Sequence, residues 1–214
     1  MSNEPIEIVD IPHERLDEAT EVLARAFEDY PLMCFIFADS GDDYGRCLRD
    51  VMRFTCHARL VRGNSLKGVE KAGRLVAVAC IDHPEEKPWP DALEEAYNTM
   101  LEGLGEQAAE RMGRFGEIVG GHHPQGPHFY VVALGVLPDA QGQSYGRALL
   151  NLVHRMSEEH ALSTGVGLDT ETATNVPLYQ HCGYEITGED ALDVVSIWFM
   201  FRPNGVEKAN CPAL

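Results

Sequence analysis

Apolar positions along the chain alternate between two periodicities, and together they predict a strand, two helices, a hairpin, and then alternating helices and strands. Ile6, Ile8 and Ile11 mark a short first strand. Leu16, Ala19, Val22, Leu23, Ala26 and Phe27 then step at helical spacing from His13 to about Tyr30, where Pro31 is expected to end the helix. A second helix is predicted from Tyr44 to Leu60, with Leu48, Val51, Met52, Thr55 and Cys56 on one face. Ser65 to Glu70 and Arg74 to Ile81, divided by Lys71-Ala72-Gly73, read as a β-hairpin whose second strand is fully buried. Further helical spacing runs from Pro90 to Leu104, through Leu93, Ala96, Tyr97, Met100 and Leu101, and a shorter helix follows from Glu106 to Ile118. His128 to Leu137 is apolar, β-branched and aromatic, and is closed by Pro138, as a buried strand would be. Tyr184 to Ile186 and Val194 to Arg202 give a last strand pair, and Asn204 to Leu214 is a polar tail.

The join after His128–Leu137 carries the candidate chemistry. A turn at Pro138-Asp139 leads into Gln141-Gly142-Gln143-Ser144-Tyr145-Gly146-Arg147, and Ala148, Leu149, Leu150, Leu152, Val153 and Met156 continue as a helix. The N–H groups of a first helical turn lack intrahelical partners and have the positive end of the helix dipole behind them, so small residues there admit an anion, with a diphosphate as the expected guest. A glycine-containing strand-to-helix turn is also common without any ligand. No Lys-Ser or Lys-Thr follows the glycines, and the GxGxxG order is absent, which excludes the P-loop and the dinucleotide fingerprint. Gly135, inside the strand, marks a bulge or a close approach by a ligand or another backbone.

Composition narrows the class. The chain has 214 residues, 44% of them hydrophobic, enough for one sizeable core and short for two, so a single domain spanning 1–214 is expected. A formal net charge of −17 argues against nucleic acid or an anionic membrane as partner and favours either plain solubility or attraction of cationic small molecules. Cys34, Cys47, Cys56, Cys80, Cys182 and Cys211 form no CxxC pair and lie mostly in apolar runs, as reduced core thiols do. The charged start MSNEPIEIVDIPHE has no apolar leader segment, and no run approaches the length of a membrane span, so a cytoplasmic address is expected. Gly120 to His128 holds three of the nine histidines without Cys or carboxylate at ligand spacing, and no metal is expected there.

Two ordered motifs then point to a family. Val136-Leu137-Pro138-Asp139-Ala140-Gln141-Gly142-Gln143-Ser144-Tyr145-Gly146-Arg147-Ala148-Leu149-Leu150 resembles the Q/R-x-x-G-x-G/A signature of the GNAT superfamily of acetyl-CoA-dependent N-acetyltransferases, with Ser144 where the family usually has its middle glycine. Val166-Gly167-Leu168-Asp169-Thr170-Glu171 looks like the family's fifth strand, and Asn175-Val176-Pro177-Leu178-Tyr179-Gln180-His181-Cys182-Gly183-Tyr184 resembles its NVPFYxxxGF helix. The spacing is most similar to the puromycin N-acetyltransferase-like branch. Ala26 to Leu32, with Phe35, Ile36 and Phe37, resembles that branch's AFxxDPxxxxxF entry, whose loop walls the acceptor pocket; aromatics here also suit a core.

The resemblance implies an α+β (α/β/α) fold, with a mixed, mostly antiparallel sheet whose two cofactor strands splay apart between flanking helices. In that frame 84–127 is a helical insertion, either a flap over the substrate end or a peripheral packing element. The implied reaction is acetyl transfer from acetyl-CoA to the primary amine of a small molecule in a ternary complex. Its rivals are a protein or peptide N-acetyltransferase and a CoA-binding sensor without turnover. Leu134, Gly135 and Val136 would pair with the pantetheine arm, Gln141, Gly142, Gln143, Ser144, Tyr145, Gly146 and Arg147 would hold the diphosphate, and Asn175 would hydrogen-bond the pantetheine or cap its helix. Tyr179 would protonate the departing thiolate. Glu171 and His128 are the candidate bases, beside a water chain with no single base. A monomer or a homodimer is expected.

Overall fold

The computed structural model describes residues 6–85 and 87–206. A seven-stranded sheet has the order β1-β2-β3-β4-β5-β7-β6 and is antiparallel at every step except β4 to β5. The strands are β1 (Glu7–Asp10), β2 (Ser65–Lys71), β3 (Arg74–Asp82), β4 (Phe129–Val136), β5 (Gly165–Thr170), β6 (Glu185–Leu192) and β7 (Val195–Pro203). Flanking helices are α1 (Leu16–Ala26), α2 (Pro31–Ile36), α3 (Tyr44–Val61), α4 (Asp91–Leu104), α5 (Glu106–His122), α6 (Tyr145–Glu159) and α7 (Asn175–His181). This is the mixed, mostly antiparallel, helix-flanked sheet that the resemblance implied. No helix among the described residues is long and apolar enough to cross a membrane.

The feature that matters for a ligand is where β4 and β5 part. They pair only from Phe129–Val131 against Val166–Leu168. On its other side β4 stays with β3 as far as Val136, with a register shift between Cys80 and Ile81 that leaves Val132 as the extra residue. Such a bulge bends and twists its strand. The backbone from Val132 to Val136 therefore has a sheet partner on one edge only.

Three elements depart from the sequence reading. The first long helix stops at Ala26 rather than Tyr30, its end closed by Phe27 N–H donating to Leu23 O, and Pro31 opens a new helix instead of ending the old one. Proline suits that place because the first helical residue needs no N–H donor. Helix α5 runs four residues past Ile118 to His122, whose ring stacks on Phe199 with centroids 4.2 Å apart and whose Nε2 lies 3.0 Å from Asp190. These contacts hold a last turn that contains two glycines. Strand β6 extends through polar Thr187 to Ala191 because it is a sheet edge, where no second layer demands apolar alternation.

The thiol expectation also needs correction. Cys47, Cys56 and Cys80 are buried free thiols, but Cys34 is exposed and Cys182 is disulfide-bonded. Cys211 and most of the polar tail lie outside the described residues.

Candidate active site

Where β4 and β5 part lie two adjoining cavities with a shared wall. The smaller, about 230 Å³, lies against Leu134, Gly135 and Val136 and is closed by Ala26, Phe27, Gln141 and Leu178. The larger, about 640 Å³, extends over the sheet toward α3 and α5. Phe27, Tyr30, Leu134, Asn175 and Tyr179 border both, so a molecule lying along β4 meets one entering from the helical side at these five residues.

Each wall follows from local sequence. Phe27 and Tyr30 reach the cavities because α1 ends before them and the chain turns there, Tyr30 N–H donating to Phe27 O at 3.1 Å, while Ile36 and Phe37 of the same segment go to the core. Met112, Phe115 and Val119, spaced three and four apart, present one face of α5 to the larger cavity. Of the two inserted helices, α5 thus walls the larger cavity, while α4 contributes no lining residue to it. Gly135 is needed for packing as well: a Cβ there would lie 2.8 Å from Ala26 Cβ and 2.9 Å from Leu23 Cδ2, so α1 sits directly on this strand.

Beyond β4, the glycine loop feeds α6 as expected. Gly142 has φ of +73° and Ser144 has φ of +65°, both left-handed, and α6 begins at Tyr145 with no acidic residue in its first turn. Gln141 Nε2 donates to Val136 O at 3.4 Å, and Gln143 Oε1 accepts from Lys71 Nζ and from Tyr145 Oη, each at 3.0 Å. Arg147 Nη2 donates to Ser144 Oγ at 3.0 Å, so this hydroxyl accepts from the guanidinium and keeps its own hydrogen for a donor role. The serine at the middle-glycine position thus takes the backbone shape a glycine would. For an L-residue that shape costs on the order of 1 kcal/mol. Ser144→Gly is expected to stabilise the protein by up to about that amount, read as a higher denaturation midpoint; a lower midpoint would mean that the Arg147 contact outweighs the strain.

The polar end of the larger cavity is a cluster of carboxylates and phenols. Tyr130 Oη donates to Asp169 Oδ1 at 2.6 Å, and Tyr30 Oη accepts from Glu171 N–H at 3.0 Å while lying 3.3 Å from Thr170 Oγ1. Glu171 is 7% exposed and its Oε1 has no hydrogen-bond partner. Burial, first, and then the neighbouring Asp169 push the Glu171 carboxyl well above the usual carboxylate range, and burial raises Asp169 too. The pair therefore holds a proton where isolated carboxylates would have lost theirs. Burial, and then the charges of Asp169 and Glu171, push the Tyr179 phenol up to about 12, so it is fully protonated at neutral pH. On the opposite side Asp82 is neutralised by Arg59, whose Nε and Nη2 reach its two oxygens at 3.1 and 3.0 Å, and it accepts from Asn64 Nδ2 at 2.7 Å.

Residues 106–186 match the sequence family described as an acetyltransferase (GNAT) domain. Solved structures of GNAT type share its fold over nearly the whole chain at low identity. A histone acetyltransferase HPA2 and related acetyltransferase from Corynebacterium glutamicum aligns with a TM-score of 0.67 and 16% identity, covering 95% of this chain and 98% of that one. A polyamine N-acetyltransferase from Drosophila melanogaster, described as forming N-acetylagmatine, aligns at 0.57 and 16%, covering 92% and 98%. A PaiA N-acetyltransferase from Thermoplasma acidophilum in complex with coenzyme A aligns at 0.56 and 11%, covering 94% and 99%.

Within this GNAT fold the structure brings together most of the residues singled out in the sequence. Leu134, Gly135, Val136, Gln141, Asn175 and Tyr179 border the smaller cavity, and Glu171 the larger. Gly142 through Arg147 form the loop and first turn of α6. Asn175 is not the cap of α7, a place held by Thr174; its Nδ2 donates to Thr170 Oγ1 at 3.3 Å. His128 does not join this group. It lines a neighbouring cleft of about 620 Å³, its Nδ1 2.8 Å from Gly126 O, and the histidine that borders both spaces is His123, stacked on Tyr130 with centroids 4.4 Å apart.

Asp169, Tyr130 and Tyr30 went unassigned as site residues in the sequence. For Asp169 the signal was present: it stands two residues before Glu171 in the strand expected over Val166–Glu171, the spacing that puts two side chains on the same face, although the observed β5 ends at Thr170.

Proposed function

We propose that the chain transfers an acetyl group from acetyl-CoA to the primary amine of a small molecule, with both substrates bound at once. The observation that carries this reading is the meeting of the two cavities at Leu134, Asn175 and Tyr179, beside a β4 edge left without a strand partner. An extended pantetheine arm fits that edge as an added strand would, with the diphosphate at the N-terminal turn of α6. The thioester would then lie at the junction, facing the larger cavity.

The amine nitrogen attacks the thioester carbonyl carbon, the carbon–sulfur bond breaks, and the sulfur takes a proton from Tyr179. The nitrogen gives up its proton toward the Asp169–Glu171 pair, from which it returns through solvent to the phenolate. No proton is left over when the amine arrives neutral, and one passes to water when it arrives as an ammonium. Because burial and then Asp169 raise the Glu171 carboxyl well above the usual range, the pair rather than Glu171 alone is the proton acceptor in this reading. A cavity of about 640 Å³ favours a small acceptor over a folded protein, and the Drosophila relative's polyamine chemistry is consistent with an amine. The spacing of the glycine loop and the α7 motif supports the puromycin N-acetyltransferase-like branch.

The test is transfer of label from acetyl-CoA to a mixed amine library, followed by free CoA. Labelled amide and stoichiometric CoA are expected. CoA binding without any labelled product would favour the sensor instead.

A further inference from the structure

We propose that the acceptor is a monoamine with an apolar body, its one ammonium seated at Asp169 and Glu171 and its hydrocarbon or aromatic part against Met33, Val51, Met52, Met112 and Phe115. This names the substrate class for the acetyl-transfer reading and rests on it. The first support is the charge around the larger cavity. Its ionisable lining consists of Arg59, Asp82, His123, Asp169 and Glu171 with the phenols Tyr30, Tyr130 and Tyr179. Arg59 and Asp82 cancel through a two-point ion pair, and His123 is kept neutral at pH 7, its pKa lowered by burial and by His128. The phenols are protonated, all three raised by burial. What remains without a cationic partner is the adjacent carboxyl pair Asp169 and Glu171, both raised by burial, a match for a single cation.

The second support is Glu171 Oε1. It is buried, belongs to a residue that lines the cavity and has no hydrogen-bond partner, although the Glu171 backbone N–H is held by Tyr30 and its neighbour Asp169 by Tyr130. A buried acceptor without a donor is costly unless a ligand supplies one, and an ammonium supplies three. The third support is the far wall. From the carboxyl pair outward the lining on α2, α3 and α5 is mostly aliphatic, thioether and aromatic, its polar members there being Thr55 and Arg59, the latter paired with Asp82, so no uncancelled anion is left to receive a second ammonium. A diamine would have to bury an unpaired charge there.

The experiment compares kcat/KM of the full chain with acetyl-CoA for butylamine, phenylethylamine and putrescine, amines of matched reacting group. Both monoamines are expected to exceed putrescine by about 100-fold or more, with phenylethylamine the best of the three. Met112→Glu, which places a carboxylate on the far wall, is expected to narrow the gap by raising putrescine turnover. Asp169→Asn is expected to lower kcat/KM for both monoamines by about 100-fold while acetyl-CoA affinity is retained. Putrescine equal to or better than butylamine in the wild type overturns the monoamine inference and leaves acetyl transfer standing. Absence of product from every amine, together with absence of CoA binding, overturns both.

Discussion

Tyr179→Phe is expected to lower kcat by about 10² to 10⁴, the scale on which a lost general acid is felt, with little change in acetyl-CoA affinity. The substitution keeps the ring, which packs edge-to-face on Tyr184 with centroids 5.7 Å apart, and removes only the hydroxyl at the junction of the two cavities. The pH profile separates the acid from a packing role. Because burial and the Asp169 and Glu171 charges raise the phenol to about 12, the wild type keeps its acid well beyond the pH at which an exposed tyrosine would lose it. Activity is therefore expected to hold through pH 10 and fall only above that as the phenol ionises, a limb the phenylalanine variant lacks. Normal turnover in Tyr179→Phe, with the same alkaline behaviour as the wild type, would return this residue to a purely structural place.

The second large effect is on stability. Gly135→Val is expected to destabilise the protein by about 3 kcal/mol, since even the first added carbon comes within 3.0 Å of Ala26 Cβ and Leu23 Cδ2 and two methyl groups follow it. For a chain of this size that corresponds to a melting temperature lower by roughly 6 to 12 °C. Activity should fall in parallel, because moving α1 off β4 also moves Ala26 and Phe27, which close the smaller cavity. An unchanged melting temperature with lost activity would mean that Gly135 serves ligand approach rather than helix packing.

Gly135 also illustrates what the sequence could and could not disclose. A glycine in an apolar strand announced a close approach, and the strand, the loop and α6 were legible from apolar spacing and turn residues alone. What comes close proved to be α1, more than a hundred residues earlier, a relation no local window contains. The bulge in β4 falls instead at Val132, an ordinary strand residue whose place depends on the register against β3. Helix α2 was missed because six residues are too few to show a helical period, and the edge strand β6 because its residues face solvent and carry no alternation.

The same division runs through the site. Tyr179, Asn175 and the loop from Gln141 to Arg147 were readable because they sit in contiguous motifs. The carboxyl cluster was readable only in part: Glu171 stood out as a candidate base, but the joining of α1's end, β4 and β5 around it, and the burial that raises its carboxyl and leaves Oε1 without a partner, are invisible in its letter. His128, at the start of the strand, lines the neighbouring cleft and meets Tyr130 only edge-on at 6.0 Å, whereas His123 stacks on Tyr130 and borders both spaces.

Calorimetric titration of CoA into the wild type and into Ser144→Asp tests the central claim, that the β4 edge and the first turn of α6 form a CoA site. Aspartate suits both the left-handed backbone and the start of a helix, so the variant should fold at least as well as the wild type while placing a negative charge where the diphosphate is expected. The wild type should bind one CoA and, at about 100 times the dissociation constant, gain about 2.7 kcal/mol of stability, whereas Ser144→Asp should show neither binding nor gain. No heat and no thermal shift with the wild type, or equal binding by the aspartate variant, would contradict the placement of the cofactor.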